Sequence, residues 1–347
     1  MSIDIPELVH RARGAAAPMY LATVVHTQGP CYRKTGARLL VGSQGRLAGG
    51  VSGGCLERDL VRRIAWMTED GARVETFDTS ADGDESERSY LGCGGTIRVL
   101  LERADPHALA TLGWVAEQDG PCAVVSVLES HDPACRVGTS YAVSDTGRYG
   151  EPAWSSACEP LVRACLEGRA HLHRDLATEG GDLRVLIEYV APPRHLLVAG
   201  RHYDTAPLVQ LAKDCGWRVC VAAEHTAEDL GAPHDRIELS GVALRGWLGR
   251  HPNGAMVIMT HSVPLDRLCI EHALRSGELA YVGLLGPSER ADKLLAAIEE
   301  RAPLPEQARS RLRAPAGLAL GGEGARAIAL SIVAELEQCF ARRVPVI

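Results

Sequence analysis

No stretch of this chain approaches the roughly 20 consecutive apolar residues that a bilayer crossing requires. The richest run, around Ala280 to Leu285, has only the length of a strand. The start, Met1-Ser2-Ile3-Asp4-Ile5-Pro6-Glu7, lacks the basic residues and apolar stretch of a secretory signal. Together these absences lead to the expectation of a soluble, cytoplasmic protein without a membrane partner. Basic excess is lacking too: the net charge of −7 gives no general attraction to nucleic acid or to anionic lipid, so an anionic ligand would need a local basic patch. Nor is there a disulfide framework. The 11 cysteines are odd in number and scattered, and most lie in apolar runs such as Val219-Cys220-Val221, as small core residues do.

What is present suits two domains: 347 residues, of which 46% are hydrophobic. In the first part, Met19 to His26, Ala37 to Val41, Thr96 to Leu101, Ala123 to Leu128 and Arg184 to Val190 have strand character. Leu56 to Met67 places Leu60, Ile64 and Met67 on one helical face, and Pro106 to Glu117 and Pro160 to Gly168 also look helical. Asp78 to Ser89 is acidic and polar and has the character of a loop. After the break at Ala191-Pro192-Pro193-Arg194, strands and helices alternate to the end. The expected fold is therefore α/β: an N-terminal α+β domain over residues 1–190, then a Rossmann-like doubly wound parallel sheet over residues 191–347.

Two glycine-framed cysteines stand out in the first part. In Gly49-Gly50-Val51-Ser52-Gly53-Gly54-Cys55-Leu56-Glu57 a thiol sits where a glycine loop enters a helix. Backbone N–H groups and the positive helix end there favour the thiolate. A nucleophile, a sulfur carrier and a soft-metal ligand all need such a thiolate, whereas a buried cysteine in a tight turn needs none. Leu91-Gly92-Cys93-Gly94-Gly95 repeats the design before a strand, with no side chains beside the thiol to obstruct a bulky ligand. Between Thr27 and Leu56 there are four basic residues, Arg33, Lys34, Arg38 and Arg46, and no acid. This makes either a phosphate- or pterin-recognising patch or a solvated strand face.

These segments carry a resemblance. Thr27-Gln28-Gly29, Arg33-Lys34-Thr35-Gly36-Ala37, Gly50 to Glu57 and Cys93-Gly94-Gly95 look like the XdhC/CoxI family. The likeness continues through Thr260-His261 with Asp266, Tyr281 to Gly286, Ala314 to Leu318 and the segment Ala329 to Ile332. It implies a maturation chaperone more than a catalyst, one that binds the molybdenum cofactor (molybdopterin), protects it during sulfuration and delivers it to an apo molybdenum hydroxylase of the xanthine dehydrogenase type. A cysteine desulfurase partner and a homodimer are further family-level expectations. Carried onto this chain, Cys55 and Cys93 become thiolate ligands of molybdenum or sulfur carriers. Arg33, Lys34, Arg38, Ser52, Gly53, Gly54, Glu57, Gly94 and Gly95 become the cofactor-binding set. Pro30-Cys31-Tyr32 departs from the Ser-x-Pro usual in the family and adds a third cysteine beside the basic patch.

The second part lacks the features of a working dinucleotide site. Its first strand-to-helix turn is Gly200-Arg201-His202-Tyr203-Asp204-Thr205, with His202 where a second glycine would let pyrophosphate approach. Ala223 stands where an acid would hold the ribose, so NAD is not expected. Thr260-His261 and Gly286-Pro287-Ser288 still occupy strand ends where α/β sheets bind ligands, Gly200 and His202 are candidate cofactor contacts, and His261 is a candidate proton donor, metal ligand or capping group. The alternative to the chaperone is a free-standing enzyme, either a nicotinamide-dependent oxidoreductase or a thiol- or metal-dependent hydrolase of a small heterocycle.

Overall fold

The computed structural model describes residues 4–78, 94–224, 232–277, 279–305 and 307–341 of the chain. The chain divides into two compact units, Met1–Pro192 and Pro193–Ile347. Among the described residues no helix is long and apolar enough to cross a membrane.

In the first unit α1 (Asp4–Arg13) precedes β1 (Tyr20–Gln28), β2 (Arg38–Gly42) and β3 (Gly45–Gly49), followed by α2 (Cys55–Met67), β4 (Arg73–Asp78) and β5 (Thr96–Arg103). Then come α3 (Pro106–Glu117), β6 (Cys122–Ser130), β7 (Ser140–Ser144), β8 (Gly147–Tyr149), α4 (Ser155–Gly168), β9 (Leu172–Thr178) and β10 (Gly181–Val190). They form two five-stranded antiparallel sheets, ordered β3-β2-β1-β5-β4 and β8-β7-β6-β10-β9. Strand alternation decides what each face meets. Ala22, Val24, Leu39, Val41, Val99 and Leu101 pack under Leu56, Leu60, Ile64 and Met67 of α2. Val25 and Leu100 point the other way and meet Leu128 and Leu186 of the second sheet. That second sheet buries Val125, Val185 and Ile187 beneath Cys158, Val162 and Cys165 of α4. Helices α1 and α3 close one end of the space between the sheets, with Ile5, Leu8, Leu112 and Val115 against Leu21, Leu40 and Val124.

Polar residues also enter this inter-sheet layer. The Arg38 guanidinium, almost fully buried, donates through Nη1 to Gly36 O at 2.8 Å and to Glu188 Oε1 at 3.0 Å, and through Nη2 to Glu188 Oε2. The bidentate pair ties β2 of one sheet to β10 of the other. Glu102 lies in the same layer, where burial, and then the nearby Asp105, push its pKa up to about 8 against the opposing pull of Arg38. Arg38 therefore does not belong to the phosphate patch expected from the sequence. Its charge is neutralised inside the unit, by an acid 150 residues further along the chain.

In the second unit the order is β11 (Arg194–Ala199), α5 (Thr205–Asp214), β12 (Trp217–Ala223), β13 (Asp235–Glu238), α6 (Gly241–Arg250), β14 (Ala255–Ile258) and α7 (Val263–Ser276). It ends with β15 (Tyr281–Leu284), α8 (Ser288–Glu299), the two-residue β16 (Leu312–Arg313) and α9 (Ala325–Ala341). The six strands form one sheet ordered β13-β12-β11-β14-β15-β16, and every paired neighbour is parallel. Helices α6, α7 and α8 cover one face over Leu197, Met256 and Val282, while α5 and α9 cover the other over Leu196, Val198 and Val257. This is the doubly wound α/β arrangement expected from the sequence. The chain winds outward from β11 to β13 and then returns past β11 to β14, so the switch in winding direction falls between β11 and β14.

The inter-sheet charges make two predictions. Removing one partner of a buried ion pair strands the other, so Arg38→Ala should cost about 3–5 kcal/mol in denaturant unfolding. The apolar pair Arg38→Met with Glu188→Leu should recover most of that loss, and a cost of Arg38→Ala below about 1 kcal/mol would show that the pair does not join the sheets. Glu102 works in the opposite sense to a paired carboxylate, because its folded-state pKa is raised. Its stability is full below the ordinary glutamate value of 4.5 and declines as the pH climbs toward about 8, where the folded carboxyl loses its proton. Stability measured between those limits should decline with pH in the wild type and be flatter in Glu102→Gln.

Candidate functional site

One edge of the first sheet gathers the glycine-rich loops. Gln28 at the end of β1 pairs with Thr96 at the start of β5, Arg38 at the start of β2 pairs with Thr23, and Gly49 at the end of β3 pairs with Leu39. The β1–β2 loop, the β3–α2 loop and the entry to β5 therefore emerge side by side. The Gly50 N–H donates to Arg38 O at 2.7 Å, and a Cβ on Gly49 would collide with that same carbonyl. Glycine at 49, with φ 70°, lets the chain fold sharply over Arg38 into the loop that leads to Cys55.

The loop is organised from within by Glu57. Its Oε1 accepts from Val51 N at 2.9 Å and Ser52 N at 2.6 Å, and its Oε2 accepts from Gly54 N at 2.9 Å and from the Ser52 hydroxyl. Ser52 Oγ in turn accepts from Gly54 N at 3.2 Å and Leu56 N at 3.3 Å. Burial alone would raise the Glu57 pKa, but the hydrogen bonds from Ser52, through hydroxyl and backbone, and from Val51 outweigh it and hold the carboxylate below its ordinary range. Glu57 is thus the template of the loop, and the amides of Val51, Ser52 and Gly54 face its carboxylate. The anion nearest the positive end of α2 on this loop is supplied by the protein itself.

Cys55 is the first residue of α2, and among the described residues nothing lies within 4 Å of the space that a Cβ would enter at Gly53 or Gly54. Arg33 comes up beside Gly50, its Nη2 3.9 Å from where a Cβ would stand, with Glu57 Oε1 at 3.1 Å on the same side. Lys34 and Arg46 are exposed. Gly94 and Gly95 pack on the β1–β2 loop: a Cβ on Gly95 would stand 2.7 Å from Cys31 Sγ, Gln28 O and Pro30 O. The Cys31 thiol is half-buried there and donates to Gln28 O at 3.6 Å and Thr96 O at 3.7 Å. The structure thus brings together Arg33, Ser52, Gly53, Gly54, the α2 start at Cys55 and Gly94-Gly95, and adds Cys31. Cys93, and all of the acidic Asp78 to Ser89 segment except Asp78 at the end of β4, lie outside the described residues. Buried thiols elsewhere are poor nucleophiles: burial pushes Cys165, Cys220 and Cys269 up to about 12.

In the second unit the expected residues meet at the switch between β11 and β14. Gly200 is required by packing, since a Cβ there would come within 2.6 Å of Met259 O. The turn that follows is closed by Thr205 N donating to His202 O at 2.9 Å. His261 Nε2 lies 3.0 Å from Oδ2 of the buried Asp204, and the exposed His202 ring stands edge-on to His261 with centroids 4.8 Å apart. Asp204 was not singled out in the sequence, because nothing local marks it as the partner of a histidine 57 residues away. Among the described residues no group of three or more His, Cys, Asp or Glu is arranged to hold a metal ion.

Comparison with known proteins agrees with both units. Residues 12–78 match a family model described as the XdhC and CoxI family, and residues 196–336 match the XdhC Rossmann domain. A Bacillus subtilis (strain 168) protein named as a probable xanthine dehydrogenase subunit is 28% identical over 327 residues, covering 92% of each chain. A solved structure described as a xanthine dehydrogenase from Bacillus halodurans superposes with a TM-score of 0.72 at 27% identity, covering 99% of this chain and 97% of that one.

The Glu57 network predicts that Glu57→Gln, which sets an NH2 group against converging N–H donors, costs about 2 kcal/mol at neutral pH and speeds amide exchange at Val51, Ser52 and Gly54. Because the folded-state pKa is depressed, this stabilisation is complete above the ordinary glutamate pKa and is lost as the pH falls through the lower folded value. The gap between wild type and variant should therefore narrow in acid. Equal exchange rates in the two proteins would show that the loop does not depend on the carboxylate.

Proposed function

Because the chain belongs to the XdhC and CoxI family, we propose that it is an accessory protein that binds the molybdenum cofactor, assists its sulfuration and inserts it into a molybdenum hydroxylase of the xanthine dehydrogenase type. The observation that carries the reading is the open face of the glycine loop at Gly53 and Gly54, leading into α2 at Cys55 with Arg33 alongside. The names of the two relatives point to the same class of client.

The donor set fits such a cargo, whose bound metal centre offers a soft site for sulfur and whose pterin carries a phosphate. Cys55 supplies a thiolate, the soft donor that molybdenum favours, and Cys93 is a second in the sequence. Arg33 and Lys34 take the phosphate, Arg33 with the planar fork that matches two phosphate oxygens. The missing side chains at Gly53, Gly54 and Gly94 let a bulky heterocycle reach the backbone, while Gly95 lets the β1–β2 loop pack against the entry to β5. Sulfur arrives from a cysteine desulfurase as a persulfide. The Cys55 thiolate attacks its outer sulfur, the S–S bond of the donor breaks, and the desulfurase cysteine leaves as a thiolate. In this reading the protein is a carrier in the cytoplasm, acting as a homodimer on an apo-enzyme partner. NAD has no part in it, since His202 and Ala223 stand where a glycine and a ribose-binding acid would be needed.

Protein purified from a host that makes the cofactor should contain molybdenum and release oxidised pterin fluorescence. Cys55→Ala should lose both while keeping the wild-type circular dichroism spectrum. Unchanged molybdenum and pterin content in that variant would overturn the assignment of Cys55, and absence of both from the wild type would overturn the proposed cargo.

A further inference from the structure

The switch between β11 and β14 carries a second arrangement that the cargo-binding loop does not explain. A carboxylate only accepts hydrogen bonds, so the 3.0 Å contact to Asp204 Oδ2 assigns the hydrogen of His261 to Nε2. Nδ1 is then the nitrogen with the lone pair, and no hydrogen bond to it is made among the described residues. The His261 side chain is 47% exposed while that of Asp204 is 7% exposed, which gives a reachable imidazole backed by a buried anion. A proton taken up at Nδ1 makes an imidazolium whose charge Asp204 offsets directly.

Three features show that the fold holds this ring in place at a cost to itself. His261 has φ 55°, the left-handed region that a histidine enters under strain and a glycine or asparagine would occupy more easily. Thr260, just before it, is pinned by its hydroxyl to the buried Asp266, which is itself paired with Arg290, and Ser262 N donates back to Thr260 Oγ1 at 3.1 Å. Among the described residues the other oxygen of Asp204, Oδ1, is buried without a partner, and the neighbouring Thr205 Oγ1 is buried in the same way. A carboxylate placed for folding alone would have both oxygens satisfied.

The same place is poorly built for phosphate. Pro207 lies in the first turn of α5 and Pro264 in that of α7, so each helix end loses one of the N–H donors that a phosphate cradle uses, and Thr205 N is already engaged by His202 O. The exposed His202 ring instead borders His261 with a flat surface, and the neighbouring Tyr203 in the same turn is exposed.

We propose that His261 is a proton acceptor, held in position by Asp204, for a small planar molecule that carries a weakly acidic hydrogen and no phosphate. In the step the ligand's X–H bond breaks, its electron pair stays on the ligand, and the proton passes to Nδ1 while the Nε2 hydrogen remains on the ring facing Asp204. No oxidant or reductant is involved.

Two measurements on the full-length protein test this. Long-range 1H–15N correlation on 15N-histidine-labelled protein should show neutral His261 as the Nε2–H tautomer, and Asp204→Ala should return it toward the mixture of a free imidazole. The planar probe 5-nitrobenzisoxazole loses its ring C–H proton to a base as its N–O bond opens, releasing a coloured phenolate. Its turnover should fall about tenfold or more in His261→Gln and in Asp204→Ala, since a positioned base contributes about 100-fold or more. An Nδ1–H tautomer in the wild type, or a rate that drops less than this in folded His261→Gln, overturns the proposal. A rate lost in Asp204→Ala with the tautomer unchanged overturns the positioning role of Asp204.

Discussion

The first unit depends on one buried guanidinium. Arg38 lies in the layer between two antiparallel sheets that share no strand, and its bonds reach in three directions. Nη1 and Nη2 clasp Glu188 of the opposite sheet, Nη1 also holds the carbonyl of Gly36, and the backbone oxygen of Arg38 receives Gly50 N–H. Gly36 itself sits against the Glu188 carboxylate, where a Cβ would come within 2.6 Å of Oε1. The basic β1–β2 loop, the glycine loop before α2 and the second sheet are thus fixed to a single residue. An apolar residue at 38 would keep the backbone bond to Gly50 but lose the side-chain bonds that orient Gly36 and Glu188, because dispersion contacts have no direction and hydrogen bonds do.

The sequence made the second unit readable because each of its central strands is buried on both faces. Leu196 to Ala199, Val219 to Ala222 and Ala255 to Ile258 are near-continuous apolar runs, separated by helices with a clear stripe, and only a parallel doubly wound sheet accommodates that alternation. The elements that escaped reading are those whose character is set by neighbours. Asp235–Glu238 forms an edge strand with three of its four residues exposed, and no apolar pattern reveals it. Gly241–Arg250 is a helix despite glycines at 241, 246 and 249, because Leu244, Trp247 and Leu248 anchor it to the core. In the first unit Gly45–Gly49 has little apolar pattern of its own, and its strand exists because β2 offers it hydrogen bonds.

The candidate sites divide along the same line. Glycines and cysteines mark a loop by their own identity, so Gly53, Gly54 and Cys55 could be found from spacing alone. Charged side chains could not be assigned roles in that way, because a charge takes its function from its partner. Arg33 and Arg38 looked alike in an acid-free stretch, yet one rises beside the open loop and the other disappears between the sheets. The family resemblance placed Glu57 in the cofactor-binding set, but only the folded loop shows several donors converging on it. Asp204 carried no signal at all, since His261 lies across a strand crossover.

Glu57 and Asp204 together illustrate how a buried carboxylate reveals its purpose through what satisfies it. Glu57 is surrounded by donors from its own loop, its pKa falls despite burial, and the result is a rigid backbone whose outer side is left to glycine. Asp204 has one oxygen on a half-exposed imidazole and the other on no partner among the described residues, so its burial weakens the fold, a cost that a use for the ring it holds accounts for. A fully satisfied carboxylate builds structure; one left half satisfied, next to a strained residue at the winding switch of a parallel sheet, is better explained by chemistry at that ring. Both arrangements follow from the same rule, that a charge removed from water must find partners, and they differ only in whether the protein supplies all of them.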